Sequence, residues 1–307
     1  MMQAQQLPGR QAPMHWWTVA DGLKIAGDSW GDPSGPLVLL LHGGGQTRHA
    51  WGGTGARLGQ AGYYAIAFDA RGHGDSDWSP NGDYSQDAMI GDLATVLANT
   101  EMHGAVIVGA SMGGATGLAA VGENRVDASA LILVDIVPST EAAGVARIQA
   151  FMNQRPEGFD SLDEVADAIS RYRPERPRPR TLDGLAKNVR IGQDGKYRWH
   201  WDPRFMAHQS DRLIRRQRLA ASARRITVPT LLVRGGSSDV VSEAGVQEFL
   251  ELCQHAEYVN VNAAGHMVAG DRNDAFGEAA LDFLLRHADL LPQRRCRFAP
   301  QQCGADF

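Results

Sequence analysis

No apolar run in the 307 residues approaches the roughly 20 needed to span a bilayer, and the N-terminal stretch MMQAQQLPGRQAPMHWW lacks a basic segment followed by an apolar one. The reading is a soluble, cytoplasmic protein without a membrane partner. Cysteine is scarce: Cys253, Cys296 and Cys303 are an odd set of three, which suits a reducing compartment better than a disulfide framework, although a Cys296–Cys303 bridge stays open. No cysteine and histidine spacing resembles a zinc site, so no metal is expected. Excess positive charge is missing as well. At a formal −5 there is no overall field to gather nucleic acid, and a small-molecule substrate is the better expectation. Internal repeats are absent, and with 43% hydrophobic and 21% charged residues the chain is neither disordered nor fibrous.

What is present is a rhythm. The segments TVADGLKIAGDSW, PLVLLLHG, YYAIAFDA, GAVIVGAS, SALILVDIV, PTLLVRGG and EYVNVNA are short and rich in apolar and β-branched residues. Most are continuous rather than alternating, as expected of parallel strands buried on both faces by crossover helices. Helices are expected near 47–60, 85–99, 112–123, 242–253 and 274–287. The fold class is therefore α/β, with a mostly parallel central sheet. The rhythm breaks after Pro138 and resumes near Thr227. This sets a core domain over 1–137 and 227–307 and an inserted, mainly helical cap over 138–226, with helices near 141–153, 161–172 and 211–224. NVRIGQDGKYRWHW should form a hairpin turning at Asp194-Gly195. RYRPERPRPR is too rich in proline for a helix and reads as a stiff exposed connector or a basic rim.

Gly109-Ala110-Ser111-Met112-Gly113-Gly114 lies between a strand pattern and an amphipathic stretch, so Ser111 sits at a strand-to-helix turn where its hydroxyl is presented above the sheet. Gly27-Asp28-Ser29-Trp30-Gly31 has the same G-x-S-x-G spacing, but the turn signal DPSGP follows it and no helix starts there. Ser29 is rejected on that context. A serine needs a base, and the base an orienting group. His266, in NAAGHMVAG just after the last strand, is the expected base; His42 and His73 lie in turns and suit structural roles. Asp239, reached from TLLVRGG through a short Gly-Ser loop, is the expected acid, and Asp135 at the end of ALILVD is its rival. The oxyanion hole is assigned to the amides of Met112 and Gly44, the latter within Gly43-Gly44-Gly45. That glycine run is followed by no G-K-[ST] and lacks the dinucleotide register, which argues against nucleotide binding.

Together LHGGG, DARGHGDSD, GASMGG, GGSSDVV and AGHM, in this order, resemble the capped α/β-hydrolase superfamily over residues 15 to 288. The branch in question holds carboxylesterases, lactonases, meta-cleavage carbon–carbon hydrolases and cofactor-free haloperoxidases. The resemblance implies a Ser-Asp-His order of catalytic residues, no cofactor, and a cap that closes over the substrate. The expected activity is serine hydrolysis of a small carboxylic ester or lactone through an acyl-enzyme. A carbon–carbon hydrolase is the alternative, weakened because Gln46-Thr47-Arg48 stands where that group continues into Gly-Pro-Gly; a ligand receptor with little turnover is another. Phe151, Trp199, Trp201 and Phe205 are candidate pocket walls, or else the cap's own core, and Arg204 is a candidate for binding an acid group. Oligomeric state stays open between monomer and homodimer.

Overall fold

The computed structural model describes residues 11–290 except 101, 103, 175–177, 179–181, 208–210, 263 and 269–272. Cys296, Cys303 and half of the RYRPERPRPR segment lie outside the described residues. Ten strands are described: β1 (His15–Thr18), β2 (Lys24–Trp30), β3 (Leu37–Leu41), β4 (Tyr64–Phe68), β5 (Ala105–Ala110), β6 (Ala128–Val134), β7 (Val189–Ile191), β8 (Tyr197–Trp199), β9 (Thr230–Gly235) and β10 (Glu257–Val261). Eight form one sheet in the order β1-β2-β4-β3-β5-β6-β9-β10. The pairs β1–β2 and β2–β4 are antiparallel and the others parallel.

The continuous apolar strands have a direct explanation in how their side chains divide. Leu37, Leu39 and Leu41 of β3 join one apolar cluster, whereas Val38 and Leu40 join another on the opposite face. The first cluster is closed by α2 (Gln86–Ala98), α3 (Met112–Gly122), α7 (Arg212–Ala223) and α8 (Glu243–Leu252). The second is closed by α1 (Gly52–Gln60) and α9 (Asn273–Arg286). Side chains alternate in direction along a strand, so a strand covered on both faces must be apolar at every position.

After β6 the chain leaves the sheet. Helices α4 (Ala142–Met152) and α5 (Leu162–Tyr172), the β7–β8 hairpin and the short α6 (Pro203–Ala207) surround a separate apolar cluster that includes Met152, Phe159, Val165, Leu185, Val189, Trp199 and Trp201. The hairpin pairs Val189 with Trp199 and Ile191 with Tyr197, and its turn includes Gly195 at φ 76°. One helix attributed to the insert behaves otherwise. On α7, Leu219 and Ala223 belong to the sheet-side cluster, and Gly122 of α3 is packed against Ser222. A helix can continue the apolar spacing of its neighbours in sequence while its buried face meets a different layer, so the pattern alone does not assign it.

The sheet order also places the site. From β3 the chain steps to β4 on one side and returns to β5 on the other, so the connections after β3 and β5 part over a crevice at the strands' carboxyl ends. Open α/β sheets bind their ligands in that crevice. Among the described residues, no helix is long and apolar enough to cross a membrane.

Candidate active site

Ser111 occupies the turn from β5 into α3 with φ 49° and ψ −109°, a backbone region that residues with a Cβ rarely adopt. Its surroundings hold it there. The Ser111 amide donates to the Val134 carbonyl at 3.0 Å, and the Gly113 amide donates to the His42 carbonyl at 3.2 Å. A Cβ on Gly114 would lie 2.7 Å from the Gly109 carbonyl oxygen, so both glycines are needed for strand and helix to meet this closely. Ser29, the second match to the spacing, is instead inside the antiparallel strand β2, and its hydroxyl is 2.8 Å from His15 Nε2. Its neighbour Asp28 accepts from Arg48 Nε at 2.8 Å.

His266 follows β10 and stands between two partners. Its Nε2 is 3.1 Å from Ser111 Oγ, and its Nδ1 is 2.6 Å from Asp135 Oδ2. The carboxylate on the histidine is therefore that of Asp135, not Asp239. Asp135 follows β6 directly, is fully buried, and turns at φ 50°. Its Oδ1 accepts from the Gly235 amide at 2.9 Å, and its Oδ2 also accepts from Ser238 Oγ at 2.5 Å. Asp239 lies four residues beyond the end of β9, where Gly236, Ser237 and Ser238 carry it past the sheet edge. There it is partly exposed and paired with Arg147 at 3.0 Å. The loop turns Ser238 inward and Asp239 outward. Sequence reasoning missed Ser238, whose hydroxyl also accepts from the Val240 and Val241 amides at 3.2 and 3.1 Å.

The glycine loop after β3 is as constrained as the serine. The Gly43 amide donates to Gln46 Oε1 at 2.8 Å and the Gly45 amide to His73 Nε2 at 3.2 Å. Among the described residues, neither the Gly44 amide nor that of Met112 has a hydrogen-bond acceptor. Both residues line the cavity that contains Ser111 and His266.

Beneath this loop lie His42, His73 and His200, all buried. Each accepts one backbone N–H: His42 Nε2 from Ala70 at 2.9 Å, His73 Nε2 from Gly45, and His200 Nδ1 from Gly74 at 2.9 Å. Accepting requires an unprotonated nitrogen, so the other nitrogen of each ring carries the hydrogen and donates to a carbonyl. Those carbonyls are Gly43 at 2.8 Å, Arg71 at 3.2 Å and Gly45 at 3.2 Å, respectively. All three rings are neutral, and burial lowers each pKa, that of His73 to about 3. The unfolded chain takes up the His73 proton near 6.5 and the native state only near 3. This contribution to stability is therefore complete above pH 6.5 and drains as the pH falls towards 3, at an overall cost on the order of 5 kcal/mol. Melting temperatures measured from pH 7 to pH 4 should fall steadily, and His73→Asn should make that slope shallower.

The expected cap aromatics have both of the positions considered for them. Trp199 and Trp201 stack at 5.0 Å within the cap cluster, Phe151 and Phe205 pack against it, and all four also line the cavity. Phe205 comes within 3.8 Å of the point where a Gly44 side chain would begin. Arg204 is different. Its guanidinium is bound to Asp202 at 2.7 Å and to the Ser79 and Pro80 carbonyls at 2.7 and 3.0 Å, and it does not line the cavity. Asp202 also accepts from Tyr84 at 2.5 Å, so this cluster ties the cap to the loop after β4. The short-range partner two residues away captures the arginine, which residue type alone does not reveal.

The cavity measures about 1020 Å³ and opens between the sheet's carboxyl edge and the cap. Residues 36–272 match the family model for the α/β-hydrolase fold. The chain belongs to that family. This α/β hydrolase is 31% identical over 258 residues to an esterase of Mycobacterium tuberculosis, covering 81% of the chain and 82% of the relative. It is 28% identical to a 3-hydroxybutyrate-oligomer hydrolase of Cupriavidus necator, over 79% and 87% of the two chains. In fold it is similar to the crystal structure of E-2-(acetamidomethylene)succinate hydrolase, with a TM-score of 0.78, 24% identity, and coverage of 88% of this chain and 98% of that one. The α/β hydrolase is thus an enzyme of the hydrolase class, related to proteins that are themselves esterases and hydrolases.

Proposed function

We propose that this enzyme hydrolyses small carboxylic esters or lactones with Ser111 as nucleophile, His266 as general base and Asp135 as the group that orients the base. The observation that carries the reading is the relay from Ser111 Oγ through His266 to Asp135, at 3.1 and 2.6 Å, opening on the cavity. A relay of this kind activates a hydroxyl that is otherwise a poor nucleophile at neutral pH. Asp135 accepts a hydrogen bond from Nδ1–H and so holds the proton on Nδ1, which leaves Nε2 facing the serine with a free lone pair. His266 accepts the serine proton as Oγ bonds to the ester carbonyl carbon. The Met112 and Gly44 amides receive the charge on the carbonyl oxygen. Collapse breaks the bond to the leaving alkoxide, which departs with the proton held by His266. Water then gives a proton to His266 and attacks the acyl carbon; the bond from that carbon to Oγ breaks as His266 returns the proton to Oγ, which releases the carboxylic acid and restores Ser111. The Arg147 pair of Asp239 and the Asp202 pair of Arg204 support leaving both outside this scheme.

The test is covalent. A fluorophosphonate should add once, at Ser111, with p-nitrophenyl butyrate hydrolysis lost in proportion to the adduct measured by mass spectrometry. An adduct elsewhere, or activity that survives complete labelling of Ser111, would remove the proposal. Turnover on no ester at all would move the reading towards carbon–carbon cleavage or a receptor.

A further inference from the structure

The cavity's charge is opposite to the protein's. The chain carries a formal −5, yet among the described residues Arg173, Lys187, Arg212, Arg215 and Arg218 line the cavity against a single carboxylate, Asp87. Three of these cations project from α7, at positions 212, 215 and 218. Their circumstances differ. Arg218 is neutralised by Glu123 at 2.7 Å and Asp87 at 2.8 Å, and among the described residues Arg212 reaches only the Thr140 carbonyl, at 3.2 Å. Among the described residues, the Arg215 guanidinium has neither a carboxylate nor any other hydrogen-bond partner.

This is unusual in this molecule. Fully buried Arg48 is met by Asp28, Asp69 and Asp75, and buried Arg71 is held by both oxygens of Asp92 at 2.6 Å. Those carboxylates, like the partners of Arg218, raise the pKa of their arginines. Arg215 is shifted the other way, by burial and then by the charge of Arg212. A half-buried cation without a counter-charge is destabilising unless an anion comes to it. Its position suits a ligand. Arg212 touches Thr140 just after β6, and Gly122 at the far end of α3 packs on Ser222 near the end of α7, so both helices begin at the site edge of the sheet. Arg215 stands on the first turn of α7 and lines the same cavity as Ser111, Met112 and Ala115.

We infer that Arg215, with Arg212 beside it, is the anchor for a carboxylate borne by the substrate, so that the ester cleaved at Ser111 carries an anionic group at its other end. A guanidinium offers a carboxylate two parallel N–H donors, and the net positive lining raises the local concentration of anions. The inference rests on the ester-hydrolase reading and narrows it to anionic esters.

The carboxylate belongs to the acyl part or to the alcohol part, and two substrate pairs distinguish these. Mono-p-nitrophenyl adipate is compared with p-nitrophenyl hexanoate, and 4-acetoxybenzoate with phenyl acetate. The wild type should favour the anionic member of one pair by about tenfold or more in kcat/KM, and 0.5 M NaCl should reduce the preference. In Arg215→Gln the ratio should fall by roughly 10- to 100-fold, with Arg215→Lys intermediate because it restores charge without the fork. Equal or reversed preference in both pairs, or a preference that persists in Arg215→Gln with an unchanged melting temperature, would overturn the inference. Failure of the ester reading is distinguishable from this, because adipate binding to Ser111→Ala by calorimetry requires no turnover. Binding that is lost on adding Arg215→Gln sustains the anchor even if no ester is cleaved; no adipate binding to Ser111→Ala defeats it.

Discussion

Ser111→Ala is expected to lower kcat/KM on p-nitrophenyl butyrate by a factor of about 10⁴ or more, leaving KM within a few-fold and the melting temperature unchanged or raised. The size follows from what is removed. Without Oγ no acyl-enzyme forms, and the remaining pathway is water attack assisted only by His266 and the two amides, which elsewhere retains about 10³- to 10⁴-fold acceleration over the uncatalysed reaction. The stability result follows from the backbone. Ser111 sits at φ 49°, and alanine is no more comfortable there, but it leaves no hydroxyl to be satisfied in a partly buried site. Assay of the purified variant by stopped p-nitrophenol release checks the first part, and a thermal melt checks the second. Residual activity above about one hundredth of wild type would mean that another nucleophile carries the reaction.

The second large effect separates two aspartates. Asp135→Asn should reduce kcat by about 10³- to 10⁴-fold, because an amide that presents its N–H₂ to His266 favours the tautomer with the proton on Nε2, where the base is needed free. Asp239→Asn should change kcat less than about twofold, since its partner Arg147 is more than half exposed and an exposed ion pair is worth about 1 kcal/mol at most. Steady-state kinetics of the two variants side by side is the decisive comparison. Ser238→Ala gives a graded companion, because Ser238 shares the Asp135 carboxylate with His266 and with the Gly235 amide.

Much of this architecture was legible because it follows from periodicity and from backbone chemistry. Strands covered on both faces show as continuous apolar runs, and the observed α2, α3, α8 and α9 begin and end within two residues of the expected spans. Ser111 was legible for a similar reason, since a strand-to-helix turn with glycines on both sides has few other uses. Asp135 and Asp239 both follow strands that end at the same edge, and what separates them is not a matter of residue type. It is a single φ of 50° at Asp135 and the course of a three-residue loop before Asp239, neither of which leaves a periodic trace. Long side chains were harder still. Arg204 was drawn to Asp202 two residues away, whereas Arg215 lines the cavity with no side-chain partner among the described residues, which only tertiary structure reveals.

His200 lies one residue beyond β8, in the cap, yet it takes the Gly74 amide on one side and gives its hydrogen to the Gly45 carbonyl on the other. His73 takes the amide of that same Gly45. The hairpin and the glycine loop beside Ser111 are therefore mechanically joined in this protein. On the proposed mechanism, a change in the hairpin that moves His200 would reach the peptide next to Gly44, so the shape of the pocket and the aim of that amide would shift together.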